Sequence, residues 1–114
     1  MDTAALRQAI SSQRTVVTRH AQTELIADAL LEEPVWTSML APDAEVIEDY
    51  ADDPCGPSCL ILSFVQSRPV HTVVAFPARR LAAAQKHPDL AVMITVYRPD
   101  QRPHEWGQDF RVRL

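Results

Sequence analysis

Apolar positions in the first part of the chain alternate between helical and extended spacing. Residues 3–12 predict a short helix, because Leu6 and Ile10 lie four residues apart and share one face. Residues 15–18 read Thr-Val-Val-Thr, and this β-branched run favours a short strand. The chain therefore begins with a helix followed by a strand.

Helical spacing returns at about Arg19. Intervals of three and four residues predict a buried apolar stripe on this second helix, which we expect to end at residues 32–33. Pro34 suits the first turn of a third helix over residues 35–40, and Pro42 ends that helix. The stripe of the second helix consists of Leu25, Ile26, Ala29 and Leu30.

Beyond residue 43 the apolar period changes to two, which is typical of strands. The predicted strands are Ala44–Tyr50, Ser58–Gln66, Val70–Phe76 and Ala91–Tyr97. Residues 66–69 form a tight connection, so the second and third of these strands make a hairpin. Residues 77–86 have a helical pattern, and Pro and Gly make the chain after Pro99 irregular. Helices followed by a strand meander predict an α+β fold, with N-terminal helices on one face of an antiparallel sheet of four to five strands.

Length and charge restrict the architecture and the partners. A chain of 114 residues suits a single domain, residues 1–114, that buries enough surface to fold unaided. The net charge of −4 is unevenly distributed: residues 21–57 carry ten acidic and no basic residues, whereas residues 58–114 have a net charge of +4. Overall acidity argues against a general nucleic-acid binder, but the C-terminal half could present an anion-binding face.

Apolar runs in the chain are short. The run at residues 92–96 is far below the roughly 20 residues that a membrane span needs. The first seven residues lack the basic and then apolar layout of a signal peptide. We therefore expect a soluble, cytoplasmic protein without membrane contact.

Four phrases and one tryptophan occur in an informative order. His20-Ala21 opens a helix, residues 50–60 (YADDPCGPSCL) lead into a strand, residues 68–74 (RPVHTVV) begin the next strand, and residues 94–100 (ITVYRPD) precede Trp106. Over about residues 15–110 this set resembles the bacterial family called domain of unknown function 4258, with residues 1–13 as an additional N-terminal helix.

That family is similar to the RelE/ParE-like toxins of toxin–antitoxin systems, including the BrnT and MqsR branches. The resemblance implies a curved antiparallel sheet and a ribonuclease that a partner antitoxin, often of zinc-finger type, silences. This chain carries Glu24 and Leu25 where the family usually has Arg and Met.

Metal-independent RNA cleavage requires a base, an acid and a cation that stabilises the charge on phosphorus. Histidine suits the proton steps because it titrates near neutral pH, and arginine suits the phosphate because it stays charged. We assign the proton-handling roles to His71 and Tyr97, and phosphate binding to Arg68, Arg98 and Arg111. No cofactor is implied.

Strand pairing decides whether these residues can meet. Antiparallel pairing of the last two predicted strands places His71 opposite about residue 96, so that Thr95 and Tyr97 would share its face. The structural alternatives remain open: His71 as a buried ring bonded to a backbone or hydroxyl group, and Tyr97 as a packed rim residue. His20 is a further candidate, with a structural role in locking its helix against the sheet.

Cys55 and Cys59 have three residues between them, whereas the redox motif has two. A zinc site would need two further ligands, and neither His87 nor His104 is obviously placed to supply one. We expect reduced thiols and no metal.

Two functions follow from these observations. The first is a toxin of a type II toxin–antitoxin system that cleaves RNA as an endoribonuclease and binds an antitoxin. The second is a catalytically inactive RelE-like protein that binds or regulates through protein–protein contacts, which the acidic middle of the chain and Glu24 favour. The oligomeric state stays open.

Overall fold

Among the residues that the structure describes, five strands form one open, mixed sheet and three helices pack on one of its faces, which confirms the α+β class. The structure is a computed structural model that describes residues 1–53, 56–77 and 89–114. The helices are α1 (Thr3–Ser11), α2 (Arg19–Ala27) and α3 (Glu32–Ser38). The strands are β1 (Thr15–Val17), β2 (Glu45–Tyr50), β3 (Ser58–Val65), β4 (Arg68–Ala75) and β5 (Ala91–Tyr97). A 3-10 turn at Pro99–Gln101 follows β5.

The strand order is β1-β5-β4-β3-β2. Four strands are antiparallel neighbours, as predicted, but β1 runs parallel to β5, with Thr15 opposite Ala91 and Val17 opposite Met93. The sheet is therefore mixed and not wholly antiparallel. The β-branched run indicates that β1 is a strand, but it carries no information about the direction of a partner more than 70 residues away.

The β3–β4 hairpin closes through two residues, Gln66 and Ser67. Both have positive φ angles, 55° and 63°. This conformation matches the right-handed twist of the flanking strands, as in the tight turns that most hairpins use. The predicted hairpin is confirmed, with a shorter turn than the sequence indicated.

The two faces of the sheet are covered by different parts of the chain. On one face the helices bury the main core, which includes Leu6, Leu25, Val35, Ile61, Val74 and Met93. On the other face a smaller cluster includes Leu60, Val73, Tyr97, Trp106 and Phe110. Residues 102–114, here named the C-terminal segment, cover this cluster. In the part of the chain that the structure describes, no helix is long and apolar enough to cross a membrane.

Helix α2 is shorter than predicted. Of the four residues predicted to form its buried stripe, Leu25 and Leu30 are buried, whereas Ile26 is 81% exposed and Ala29 is also exposed. Ala29 has a φ of 53°, so the chain leaves the helix in the left-handed region and turns toward α3. Helix α3 consequently begins at Glu32, three residues before its predicted start. Apart from Pro77, the helix predicted for residues 77–86 lies outside the described residues.

The outer edge of β5 is completed by α2 instead of a strand. Strand β1 pairs only with residues 91–93, so the later N–H groups of β5 need other acceptors. The Glu24 carboxylate accepts a hydrogen bond from the Val96 N–H at 3.1 Å. One turn later, the Asp28 carboxylate accepts from the Arg98 N–H at 2.8 Å. These two acidic residues fix α2 along the edge of the sheet.

Candidate functional site

His71 on β4 and Tyr97 on β5 lie directly opposite each other on the face that the C-terminal segment covers. Val73 lies opposite Thr95, so Thr95 shares this face, as predicted. The register differs by one residue from the predicted one, because it shifts between Val73 and Val74. We call His71 and Tyr97 the His–Tyr pair.

Both ring nitrogens of His71 have hydrogen-bond partners. Nδ1 lies 3.1 Å from the Tyr97 hydroxyl, and Nε2 lies 2.8 Å from the Phe110 carbonyl oxygen. A carbonyl oxygen only accepts, so Nε2 carries the proton and donates it, and Nδ1 accepts from the tyrosine hydroxyl. The geometry thus selects one tautomer of a neutral ring.

The C-terminal segment encloses this ring. Trp106, 2% exposed, packs edge-on against His71 with 4.2 Å between ring centroids, and His71 itself has no exposed surface. Burial lowers the pKa of His71 to about 4, and the positive charge of Arg113 acts in the same direction. Burial likewise raises the pKa of Tyr97. His71 is therefore uncharged at neutral pH and closed to solvent.

An ion pair fastens the C-terminal segment to β2. The Arg113 Nε lies 2.8 Å from a Glu48 carboxylate oxygen, and its guanidinium stacks 4.7 Å above the Trp106 ring. The Tyr50 hydroxyl donates to the same carboxylate. Burial alone would raise the pKa of Glu48, but the hydrogen bonds from Arg113 and Tyr50 lower it below its usual value. Glu48 is thus the anchor for the end of the segment.

The three arginines proposed for phosphate binding are not gathered at the His–Tyr pair. Arg68 forms two hydrogen bonds with the Asp100 carboxylate, at 3.0 and 3.1 Å. Arg111 pairs with Glu45 at 2.7 Å. Arg98 is only 3% exposed and contacts the Val65 carbonyl, on the helix side of the molecule. Neighbouring strand residues point to opposite faces, so Tyr97 and Arg98 diverge.

Two other arginines lie close to the His–Tyr pair, and neither is among the three assigned to phosphate binding. The Arg102 guanidinium stacks 4.2 Å above the Tyr97 ring, and Arg113 stacks on Trp106. Both belong to an irregular segment without periodicity, so no sequence pattern predicted where they would fold back. The sequence feature that indicated a buried contact in this segment was Trp106, a large apolar side chain among polar neighbours.

His20 lies away from this face and does not lock α2 against the sheet. Its side chain is 68% exposed, and its Nε2 lies 3.0 Å from a Glu24 carboxylate oxygen on the same helix. The contact to the sheet is made by Glu24 instead, through the Val96 N–H. His20 can reach the strands only through this acidic neighbour.

Cys59 is fully buried with a free thiol, and burial raises its pKa to about 11. A thiol in this state is a poor nucleophile. Cys55 lies outside the described residues. Within the described ranges, no group of three or more His, Cys, Asp or Glu residues is placed to hold a metal ion.

Residues 17–98 match the model of the family described as "Domain of unknown function (DUF4258)". The chain belongs to the DUF4258 family. This DUF4258 match spans α2, α3 and strands β2 to β5, and it ends at Arg98, before the C-terminal segment. The C-terminal segment, which covers the His–Tyr pair, thus lies outside the matched region. A search of curated proteins and a search of solved structures gave no match to the chain.

Proposed function

We propose that this DUF4258 protein is a catalytically inactive binding or regulatory protein that acts through protein–protein contacts. The observation that carries the proposal is the enclosure of His71. Its ring has no exposed surface, and both nitrogens are already hydrogen-bonded within the fold. A general base must come within hydrogen-bond distance of the proton it removes, and here no RNA hydroxyl can do so.

The distribution of charge supports the same proposal. Among the described residues, four exposed arginines of the C-terminal half are paired with carboxylates, namely Arg68, Arg102, Arg111 and Arg113. By contrast, several exposed acidic residues have no basic partner among the described residues: Glu32, Glu33, Asp43 and Asp52. An unneutralised acidic surface repels RNA and attracts a basic protein surface.

We propose that the protein acts in the cytoplasm. Cys59 carries a free thiol in the core, which suits a compartment that keeps cysteines reduced.

Affinity purification of the tagged full chain tests the proposal, with Glu32→Lys/Glu33→Lys as the variant and Arg19→Gln as a surface-charge control. We expect the wild type and the control to retain a basic protein that the charge-reversed variant loses. The purified complex should then reassemble from its components and weaken as salt is added. RNA cleavage by the purified chain that disappears in folded Tyr97→Phe would overturn the proposal.

The second candidate is the RNA-cleaving toxin, RelE-like and silenced by an antitoxin of possible zinc-finger type. One observation favours it: Arg102 and Arg113 stack over the rings beside the His–Tyr pair. If the C-terminal segment lifted, the histidine and the tyrosine would face solvent, and the segment that borders them would carry the two cations. This is the set of groups that RNA cleavage requires.

Tightly controlled expression in bacteria separates the two candidates. The toxin hypothesis requires growth arrest by the wild type and normal growth with folded His71→Gln and Tyr97→Phe. The binding hypothesis requires normal growth in all three. Arg111→Gln/Arg113→Gln, which loosens the cover, should also leave growth normal if the protein has no ribonuclease activity.

A further inference from the structure

A groove on the helix side of the molecule is not used by either function above. It lies between the α2–α3 connection, helix α3 and the end of the β3–β4 hairpin, and its volume is about 930 Å³. Pockets for small organic ligands typically measure about 300–1,000 Å³ and are mostly apolar. The apolar side chains that line this groove are Leu30, Leu31, Pro34, Ala41, Phe64 and Val65.

Arg98 contributes a positive charge to the lining of this groove. Only 3% of the residue is exposed, and its guanidinium holds just two long hydrogen bonds, from Nη1 to the carbonyls of Val65 and Pro69 at 3.4 and 3.5 Å. Among the described residues, Nε and Nη2 have no partner, and no carboxylate lies within ion-pair distance. The nearby Asp28 carboxylate is bonded to the main-chain N–H of Arg98 instead.

A buried cation without an ion-pair partner is unfavourable, and an anion bound directly to it relieves that cost. Burial lowers the pKa of Arg98, with Arg68 acting in the same direction, while Asp28 and Asp100 oppose this shift. Glu33 also lines the groove. These carboxylates disfavour a polyanion such as RNA, but they leave room for one negative group placed directly on the guanidinium.

We infer that this groove binds a small amphipathic carboxylate, whose charged group pairs with Arg98 and whose apolar body packs against Leu30 and Phe64. A planar guanidinium with free donors matches the two oxygens of a carboxylate. The apolar lining supplies affinity for the rest of the ligand. This inference does not depend on the proposed function, because it concerns neither the His–Tyr pair nor a protein partner.

Amide chemical-shift titration of the full chain with sodium octanoate tests the inference, and 1-octanol serves as the uncharged analogue. We expect saturable octanoate shifts at Leu31, Phe64 and Val65, with octanol bound at least about tenfold more weakly. In Arg98→Gln this preference for octanoate should vanish. Arg68→Gln is the matched control, since Arg68 is exposed and paired with Asp100, and it should retain the preference.

A second variant keeps the test decisive if Arg98→Gln does not fold. Thr37 is exposed and lines the groove, so Thr37→Trp should fill it and abolish octanoate binding while the fold persists. Equal affinities for octanoate and octanol in the wild type, or no saturable shifts, would overturn the inference. Tighter binding of the peptide acetyl-Leu-Glu-Leu-amide than of octanoate would also overturn it, and would assign the groove to a protein segment.

Discussion

The Tyr97 hydroxyl donates a hydrogen bond to His71 Nδ1 across β4 and β5, with 3.1 Å between the two atoms. On its other side, His71 donates to the Phe110 carbonyl. The imidazole therefore joins two central strands to the C-terminal segment. This arrangement gives the His–Tyr pair a structural role that can be measured separately from any chemistry.

Removal of the tyrosine hydroxyl should destabilise the fold. In Tyr97→Phe the buried Nδ1 of His71 loses its donor, and we expect the free energy of unfolding to fall by about 1–2 kcal/mol in urea denaturation. Tyr50→Phe is the matched control and should cost less, because Glu48 keeps Arg113 as a partner. A loss for Tyr97→Phe no larger than that for Tyr50→Phe would contradict this expectation.

Acidification should destabilise the protein through His71 before most carboxylates titrate. The folded pKa of about 4 lies below the ordinary 6.5, so the unfolded chain binds the proton first and stability falls as pH drops from 6.5 toward 4. Between pH 7 and pH 5 we expect a loss of about 2 kcal/mol from this group. Glu48, whose pKa is lowered from 4.5, contributes to the loss of stability only at lower pH.

The measurement is the free energy of unfolding at half-unit steps of pH, for the wild type, His71→Gln and His20→Gln. His20→Gln is the control for the loss of an exposed histidine side chain. His71→Gln should flatten the profile. A wild-type profile already flat over this range would mean that the ring is protonated in the folded state.

Loss of the Arg113–Glu48 ion pair should loosen the C-terminal segment locally. Arg113 is 56% exposed, and exposed pairs contribute about 0.2–1 kcal/mol, so Arg113→Gln should change global stability little. Two amides report on the segment: Gly107 donates to Val112 and Leu114 donates to Glu105. We expect their hydrogen exchange to accelerate by up to about fivefold.

Amides in the middle of β4 serve as the internal control and should exchange at the wild-type rate. High salt should mimic the substitution in the wild type, because exposed ion pairs are screened. If the exchange of Gly107 and Leu114 stays unchanged in Arg113→Gln, the aromatic packing of Trp106 and Phe110 is sufficient to hold the segment.

Glu24 should stabilise the fold as a hydrogen-bond acceptor and not through its negative charge. Its carboxylate completes the edge of β5 at the Val96 N–H, and Glu24→Ala leaves that donor unsatisfied. We expect Glu24→Ala to cost about 1–2 kcal/mol, and Glu24→Gln, which keeps an acceptor oxygen, to cost less than about 0.5 kcal/mol. Glu32→Ala, at an exposed position of α3, is the control for loss of a surface acid. Equal losses of unfolding free energy for Glu24→Ala and Glu24→Gln would indicate that Glu24 stabilises the fold through its charge.

The sequence indicated which kinds of residues form much of the candidate site, but it did not show how they are arranged. The pairing of His71 with the end of β5 followed from two β-rich segments and an antiparallel meander, with an error of one residue at a register shift between Val73 and Val74. A buried His71, bonded to a backbone or hydroxyl group, is one alternative that the sequence leaves open, and the structure has that arrangement. The sequence could not select this alternative, because the cover comes from an irregular segment without periodicity. For the same reason the positions of Arg102 and Arg113 beside the pair could not be predicted, whereas Arg98, chosen for phosphate, lies on the opposite side.

The sequence by itself determined the local elements, the hairpin and the family, because each depends on neighbouring residues: the spacing in α1, the alternation in β3 and β4, and an ordered set of phrases. Tertiary structure alone decided the parallel direction of β1, the early end of α2 at Ala27 and the enclosure of the His–Tyr pair. These features depend on contacts between distant residues, such as Glu24 with Val96 and Phe110 with His71. Local periodicity shows which face of an element is apolar, but only packing selects the surface that covers it.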